Sequence, residues 1–323
     1  VARLTGRRYA AAVGSGTDAL FFSLRAAAVG PGDEVLVPDF SFVASASAIV
    51  RAGAVPVFVD IGDDFNLDLA SAGSLVGPRT KAMVFVHLYG LMGNPEDIEA
   101  FGRTHGVSII EDAAQSYGAS FGARAAGSVG LASCLSFDPT KPISAPGSGG
   151  MVLTDDSAVA DYVRSARYHG TGPTGLCDVL GFNSQMPSAT ASVIELKVDR
   201  EVVMANIRRT IAARYSAALR GTGITPPPDR PEAHHIYHKY VISSPRRDSL
   251  RQRFADAGVV TKIHYPAPLS AQPVFGPSHR TNPRAMRSAA QVLSLPIHPY
   301  LTDEEIDRVV EVLCDAGVTV TRQ

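Results

Sequence analysis

Lys141 stands at the centre of SCLSFDPTKPISAPGSGG, residues 133–150, between a short apolar run and a string of small residues. An amine at the end of a buried strand, unlike one on a solvated helix face, can be held unprotonated and can serve as nucleophile or base. Elsewhere the chain carries what such an amine would work with. Asp112 closes the apolar run VSIIED, and a carboxylate there can keep a pyridine nitrogen protonated. Gln115 follows within reach of the same pocket, and Ser136 adds a hydroxyl just before the lysine. Gly16, Thr17 and Asp18 open a helix, whose unpaired N–H groups and positive dipole end suit a phosphate. Phe42, after the run EVLVP, offers a flat aromatic face to a ring. Together these are the parts needed to hold pyridoxal phosphate, whose protonated ring is an electron sink for a carbanion at a substrate carbon.

Each residue also has a plainer reading. Most lysines are surface charges, Ser and Thr commonly cap helices, an acid after a strand caps the next helix, and aromatics after strands are usually core. The combination, not any single residue, points to a cofactor. His87 and Tyr89 end the run VHLYG and are expected to border the substrate side of the pocket.

The elements that must position these groups read as an alternation of short β-rich runs and helices. EVLVP, VPVFVD, KAMVFVHL and VSIIED are predicted strands, apolar on both faces as in a mainly parallel sheet covered by helices. Helices are predicted at about Thr17–Val29, Val43–Ala52, Leu67–Val76 and Pro95–His105. Ligands of such sheets bind beyond the carboxyl ends of the strands, where the polar residues above fall. GGMVLTDD reads as an antiparallel strand before a helix Asp156–Tyr168, followed by a Gly-rich loop to about Pro187. Loops of that length inside compact domains are usually functional. One long helix is then expected to run without a break to Gly221. Beyond His235, IYHKYVISS and VTKIHYP are expected strands, with helices near Arg246–Ala257, Asn282–Leu293 and Thr302–Ala316. The fold class is therefore α/β, a large domain over residues 1–200 and a smaller C-terminal α+β domain over 201–323.

Composition narrows the partners. Of 323 residues 45% are hydrophobic and 19% charged, and a net charge of -1 gives no electrostatic case for nucleic acid. No apolar stretch approaches a membrane span. Three cysteines, Cys134, Cys177 and Cys314, are too few and unevenly spaced for a disulfide framework, and a reducing, cytoplasmic setting is expected. His234, His235, His238 and His264 invite a metal, but no Asp, Glu or Cys joins them in a zinc-like pattern, and strand alternation would send His235 and His238 to opposite faces, so no metal is expected. Small molecules and copies of the chain itself remain as partners.

SGTDAL, EDAAQSYGA, SFDPTK followed by GSGG, GFNSQM, HHIYHKYV, HYPAPL and LSLPIHP, in this order, resemble the DegT family of PLP-dependent sugar aminotransferases. The resemblance runs from about Arg8 to the last helix. It implies the fold-type I architecture, a seven-stranded, mostly parallel sheet with a smaller C-terminal domain, in a homodimer with sites at the interface. It implies that Lys141 is the covalent anchor of pyridoxal 5'-phosphate, that Asp112 pairs with the pyridinium and that Gln115 touches the ring hydroxyl. Gly16, Thr17 and Ser136 would hold the phosphate, Phe42 would stack on the ring, and Asn183 would reach the phosphate of the neighbouring subunit. The implied activity is transfer of an amino group from an amino acid, L-glutamate, to a keto group of a nucleotide-linked deoxysugar in amino-sugar biosynthesis. Two departures stand out. Family members usually carry several tens of residues before the point matching Val1, and Gln185 stands where many have Arg.

Other functions compete. An aminocyclitol ketone could replace the sugar. A PLP-dependent sugar dehydratase would have histidine in place of Lys141, and a non-catalytic PLP-binding regulator would have no need of Lys141, Asp112 and Gln115 together. A nicotinamide-dependent oxidoreductase fails on VGSGTDAL, which lacks the third glycine of the dinucleotide turn.

Overall fold

The computed structural model describes residues 1–276 and 282–318. Its centre is a seven-stranded sheet in the order Tyr9–Val13, Gly150–Thr154, Ala132–Ser136, Ser108–Asp112, Thr80–Val86, Glu34–Pro38, Val55–Val59. Gly150–Thr154 runs antiparallel to both its neighbours, and all other pairings are parallel. The mixed, mostly parallel sheet and the antiparallel GGMVLTDD strand agree with the expectation from sequence. Successive side chains of a strand point to opposite faces, so both faces need cover. Val84 and Val86 enter one apolar cluster and Met83 and Phe85 the other. Burying each such side chain contributes about 1.5–3 kcal/mol.

The helix Gly16–Ala26 lies against Ala132–Ser136 and Gly150–Thr154 and buries Ala19, Leu20, Phe22 and Leu24. Its approach requires glycine at 150, since a β-carbon there would lie 2.1 Å from the Ser15 carbonyl oxygen. The second half of the GSGG motif is therefore a seat for the turn that starts the helix.

A third apolar cluster gathers Tyr215, Tyr240, Phe254, Leu293 and Leu313. It is built on the antiparallel pair Tyr240–Ser243 and Val292–Leu295, flanked by the helices Glu201–Ala218, Arg247–Asp256 and Asp303–Val318. Five expectations need correction here. The long helix is interrupted by a 3-10 turn, Val198–Arg200, between Ser188–Lys197 and Glu201–Ala218. The second helix takes its own register because Arg208 is buried, paired with Glu201 and donating from Nε to the Ile236 carbonyl at 2.9 Å. The helix begun at Pro283 stops at Gln291, and Val292–Leu295 is a strand because its backbone pairs with Tyr240–Ser243, which is itself the only part of IYHKYVISS in a strand. VTKIHYP is not a strand. Lys262 alone bridges Ser294, and Pro266 and Pro268 lack the N–H groups a ladder needs. The helix expected at Leu67–Val76 spans only Leu69–Gly73, capped by Asp68.

That irregular segment is tied to the sheet edge. Buried Asp39, just past Glu34–Pro38, accepts from Ser270 N at 2.7 Å, Ser270 Oγ at 2.7 Å and Asn282 Nδ2 at 2.8 Å. The tie draws His264 and Tyr265 over the carboxyl ends of the strands. Among the described residues no helix is long and apolar enough to cross a membrane.

Candidate active site

A cavity of about 280 Å³ lies at that edge, and seven of the eight residues expected to hold the cofactor line it: Gly16, Thr17, Phe42, Asp112, Gln115, Ser136 and Lys141. They come from the ends of different strands, which the sheet brings together.

At one end is the start of the helix Gly16–Ala26. Ser15 caps it, its hydroxyl accepting from Asp18 N at 3.0 Å and its carbonyl from Ala19 N at 3.0 Å. The N–H groups of Gly16 and Thr17 are not used by the cap, and both residues line the cavity. A β-carbon on Gly16 would lie 2.7 Å from Ser136 Cβ, so the missing side chain leaves a cradle beside the serine hydroxyl. Asp18 looks away, accepting from Ser184 Oγ at 2.8 Å, and Ser184 in turn accepts from Gly14 N at 3.0 Å.

At the other end Asp112 is buried, with Ser45 Oγ donating to Oδ2 at 2.9 Å and Ala114 N to Oδ1 at 3.2 Å. Burial raises the Asp112 carboxyl above its ordinary value, while the Ser45 bond and the Lys141 charge act against the rise. Lys141 sits on a tight turn, its N–H donating to the Asp138 carbonyl at 2.9 Å. Burial lowers its amine from the ordinary 10.5, with Asp112 and Asp138 partly holding it up. The carboxylate and the amine thus share one cavity in which each favours the other's charge and burial opposes both.

The walls are aromatic and amide. Phe42 is 48% exposed, with Lys141 Nζ 5.7 Å from its ring centroid and the Tyr265 ring at 6.2 Å. An apolar ring left open to a polar cavity is the surface a planar ligand would cover. Gln115 is fixed at both atoms, Oε1 accepting from Tyr89 N at 3.0 Å and Nε2 donating to the Tyr265 hydroxyl at 3.2 Å.

His87 and Tyr89 do not border the cavity. His87 is fully buried behind it, Nε2 on Glu111 Oε1 at 2.9 Å and Nδ1 accepting from Gly93 N at 3.2 Å. Tyr89, also buried, donates its hydroxyl to the His264 carbonyl. Instead the cavity takes Ser45, His238, Lys239, Lys262, His264 and Tyr265, which sequence reasoning had not placed there. Their local signals are HKY and HYP, which lie in the runs IYHKYVISS and VTKIHYP that resemble strands. His235 and His238 are both buried and lie outside any strand, so alternation does not separate them. His235 stacks on Tyr237 at 4.0 Å, whereas His238 faces the cavity. Burial, then the neighbouring lysines, lowers His264 to about 4.

Asn183 is exposed on the loop between Tyr168 and Pro187 and does not reach the cavity of its own chain.

A phosphate cradle at a helix start, a carboxylate at the opposite end, an open aromatic wall and a depressed amine between them fit pyridoxal phosphate. Comparison with known proteins agrees with this chemistry. Residues 1–314 match the model of the DegT/DnrJ/EryC1/StrS aminotransferase family. The chain is 39% identical over 322 residues to a pleiotropic regulatory protein of Geobacillus stearothermophilus, covering 98% of this chain and 87% of that protein. It is 38% identical over 315 residues to UDP-N-acetyl-3-dehydro-alpha-D-glucosamine 3-aminotransferase of Acidithiobacillus ferrooxidans, covering 97% and 85%. Among solved structures, DesV of S. venezuelae in complex with a ketimine intermediate superposes with a TM-score of 0.95 at 34% identity, over 98% of this chain and 86% of that one. A match over nearly the whole length, on a fold whose strand ends converge on one cavity, means that the chain belongs to the DegT/DnrJ/EryC1/StrS aminotransferase family.

Proposed function

We propose that this protein moves an amino group from L-glutamate to the keto carbon of a nucleotide-linked deoxysugar, a step of amino-sugar biosynthesis, with pyridoxal 5'-phosphate bound in the cavity at Lys141. One arrangement carries the proposal: the Lys141 amine and the Asp112 carboxylate share a buried cavity whose far end is the Gly16–Thr17 helix start.

Gly16, Thr17 and Ser136 would hold the phosphate, Asp112 the ring nitrogen, Gln115 the ring hydroxyl, Phe42 one ring face, and Lys141 the covalent link. Bound there, the cofactor supplies an electron sink for charge developing at the substrate carbon. The chain's own residues supply the rest. Ser45 and the Ala114 N–H keep Asp112 turned toward the cavity and offset part of the burial that would protonate it. Lys141 Nζ, once free, takes the proton from the donor α-carbon and returns it, and its depressed pKa leaves it able to do so nearer neutrality than an exposed lysine. Tyr89 and Tyr265 fix Gln115, and the segment tied down through Asp39 holds His264 and Tyr265 at the cavity wall.

The enzyme acts as a homodimer in the cytoplasm, with Asn183 reaching the neighbouring subunit's phosphate. Exposed Leu176 and Leu180 on the same loop, Leu180 at 83%, support a partner there. The division into a cofactor domain to residue 200 and a smaller one beyond is supported by the separate apolar cluster around Tyr215 and Phe254.

A regulator without catalysis, the role in the name of the Geobacillus relative, has no use for a depressed amine facing a buried carboxylate. The deciding experiment supplies glutamate and a panel of keto-sugar nucleotides and identifies the product by mass and NMR. An aminated sugar nucleotide with 2-oxoglutarate supports the proposal; bound cofactor with no conversion of glutamate refutes it.

A further inference from the structure

The cofactor cavity does not end at Lys141. A second cavity, of about 470 Å³, opens on the other side of the Asp138–Lys141 turn, and Thr140, Lys141, His238 and Lys239 line both. The two form one cleft, with Lys239 at the join.

Lys239 is half-buried, and among the described residues no carboxylate makes an ion pair with it. Facing it are two more amines, Lys141 and Lys262, and burial together with those charges lowers its own amine, with Asp138 alone acting the other way. The adjoining imidazoles add no compensating negative charge. Like charges gathered in a half-buried cleft repel, and the arrangement is relieved when an anion lies among them. The cofactor phosphate does not meet this need, because its cradle is at the helix start by Gly16.

Beyond the join, the second cavity continues the same chemistry. Arg200 is exposed at its wall, Glu201 there is already paired with Arg208, and Tyr300, 77% exposed, presents an aromatic ring beside His298. Cations followed by an open aromatic face match a nucleoside diphosphate, charged in the middle and flat at the end. The carboxylate of an amino acid donor would use Lys239 but would leave the second cavity and its arginine without a role.

We infer that Lys239 binds a pyrophosphate oxygen of the nucleotide-linked acceptor, and that the nucleotide runs out through the second cavity past Arg200 toward Tyr300. This deepens the proposed function and rests on it for the identity of the acceptor. UDP and dTDP serve as probes of the diphosphate, and glutarate as the probe of a donor carboxylate, each titrated by calorimetry into the full-length, cofactor-loaded protein. The wild type is expected to bind one of the nucleotides. Lys239→Gln is expected to weaken it about tenfold or more, as for a lost charge-assisted hydrogen bond, with Lys239→Arg recovering most of the loss. Arg200→Gln, at an exposed position that cannot unfold the chain, is expected to weaken it by about threefold or more. Glutarate affinity is expected to stay the same in all of them. Absence of nucleotide binding by the wild type, unchanged nucleotide affinity in both Gln variants, or a loss confined to glutarate would each overturn the inference. Nucleotide binding requires no turnover, so its failure is distinct from that of the aminotransferase proposal, which shows as a wild type unable to convert glutamate.

Discussion

The hydroxyl of Ser45 donates to Oδ2 of Asp112 across 2.9 Å, with Ser41 Oγ a further 3.1 Å behind it. This bond is the largest influence holding the Asp112 pKa down against burial. Ser45→Ala should therefore raise that pKa further and move the acid limb of the glutamate half-reaction to higher pH. A hydrogen bond to a charged group is worth about 1.5–3 kcal/mol, so the rate below the limb should fall by about tenfold. Stopped-flow absorbance over a pH series measures it, and an unmoved limb would contradict the role given to Ser45.

Asp112 should also weaken the cofactor-free fold. Its folded pKa lies above the ordinary 3.8, so the folded chain holds a proton that the unfolded chain releases. Its relative stabilisation is present below 3.8 and is lost as pH rises through the raised value. In Asp112→Asn the charge is gone, the Ala114 N–H still finds an oxygen, and the Ser45 hydroxyl can turn to accept. The apo variant should be more stable than the parent at pH 7 by about 1 kcal/mol in urea unfolding while losing the half-reaction. A destabilised apo variant would mean that the carboxylate is held for folding instead.

Much of this was legible in the sequence. The strand ends deliver Gly16, Phe42, Asp112, Ser136 and Lys141 to one edge, and short runs apolar on both faces mark such ends plainly. Ser45 was hidden in SFVASASAI, where several small residues occupy one helix and only the packing decides which faces the carboxylate. The wall made by His238, Lys239, His264 and Tyr265 was hidden for a different reason. His264 and Tyr265 lie on irregular backbone held by Asp39 at Ser270 and Asn282, and His238 and Lys239 on a stretch bonded to the Tyr89 and Gly90 carbonyls, contacts between distant parts of the chain that leave no local pattern. The strand Val292–Leu295 was missed because a four-residue apolar run after a helix reads as its last turn until a partner strand is known.

Glycine at 16 should be essential and glycine at 77 dispensable. A β-carbon at Gly16 would meet Ser136 Cβ at 2.7 Å and its Cα at 3.3 Å, so backbone has to move, whereas one at Gly77 would meet nothing within 4 Å. Overpacking of this kind costs about 1–3 kcal/mol, here at the phosphate cradle. Gly16→Ala should release pyridoxal phosphate on dialysis about tenfold faster than the parent. Gly77→Ala should match the parent, and equal retention by both variants would refute the cradle.

The amine of Lys141 should titrate below the ordinary lysine value of 10.5, because burial is the largest influence on it. The rate at which the apo-protein captures pyridoxal phosphate should accordingly rise with pH through a midpoint under 10.5. Asp112→Asn should lower that midpoint again, since Asp112 does more than Asp138 to hold the amine up. A midpoint at or above 10.5, or one that Asp112→Asn raises, would contradict the geometry.

The most direct measurement mixes cofactor-loaded protein with L-glutamate and no acceptor, following the cofactor's visible absorbance and 2-oxoglutarate release for the wild type and Lys141→Ala. The wild type should lose the absorbance with stoichiometric 2-oxoglutarate, and Lys141→Ala, folded and retaining cofactor by its phosphate, should do neither at a measurable rate. A Lys141→Ala protein that converts glutamate at the wild-type rate would show that Lys141 is neither the anchor nor the proton carrier.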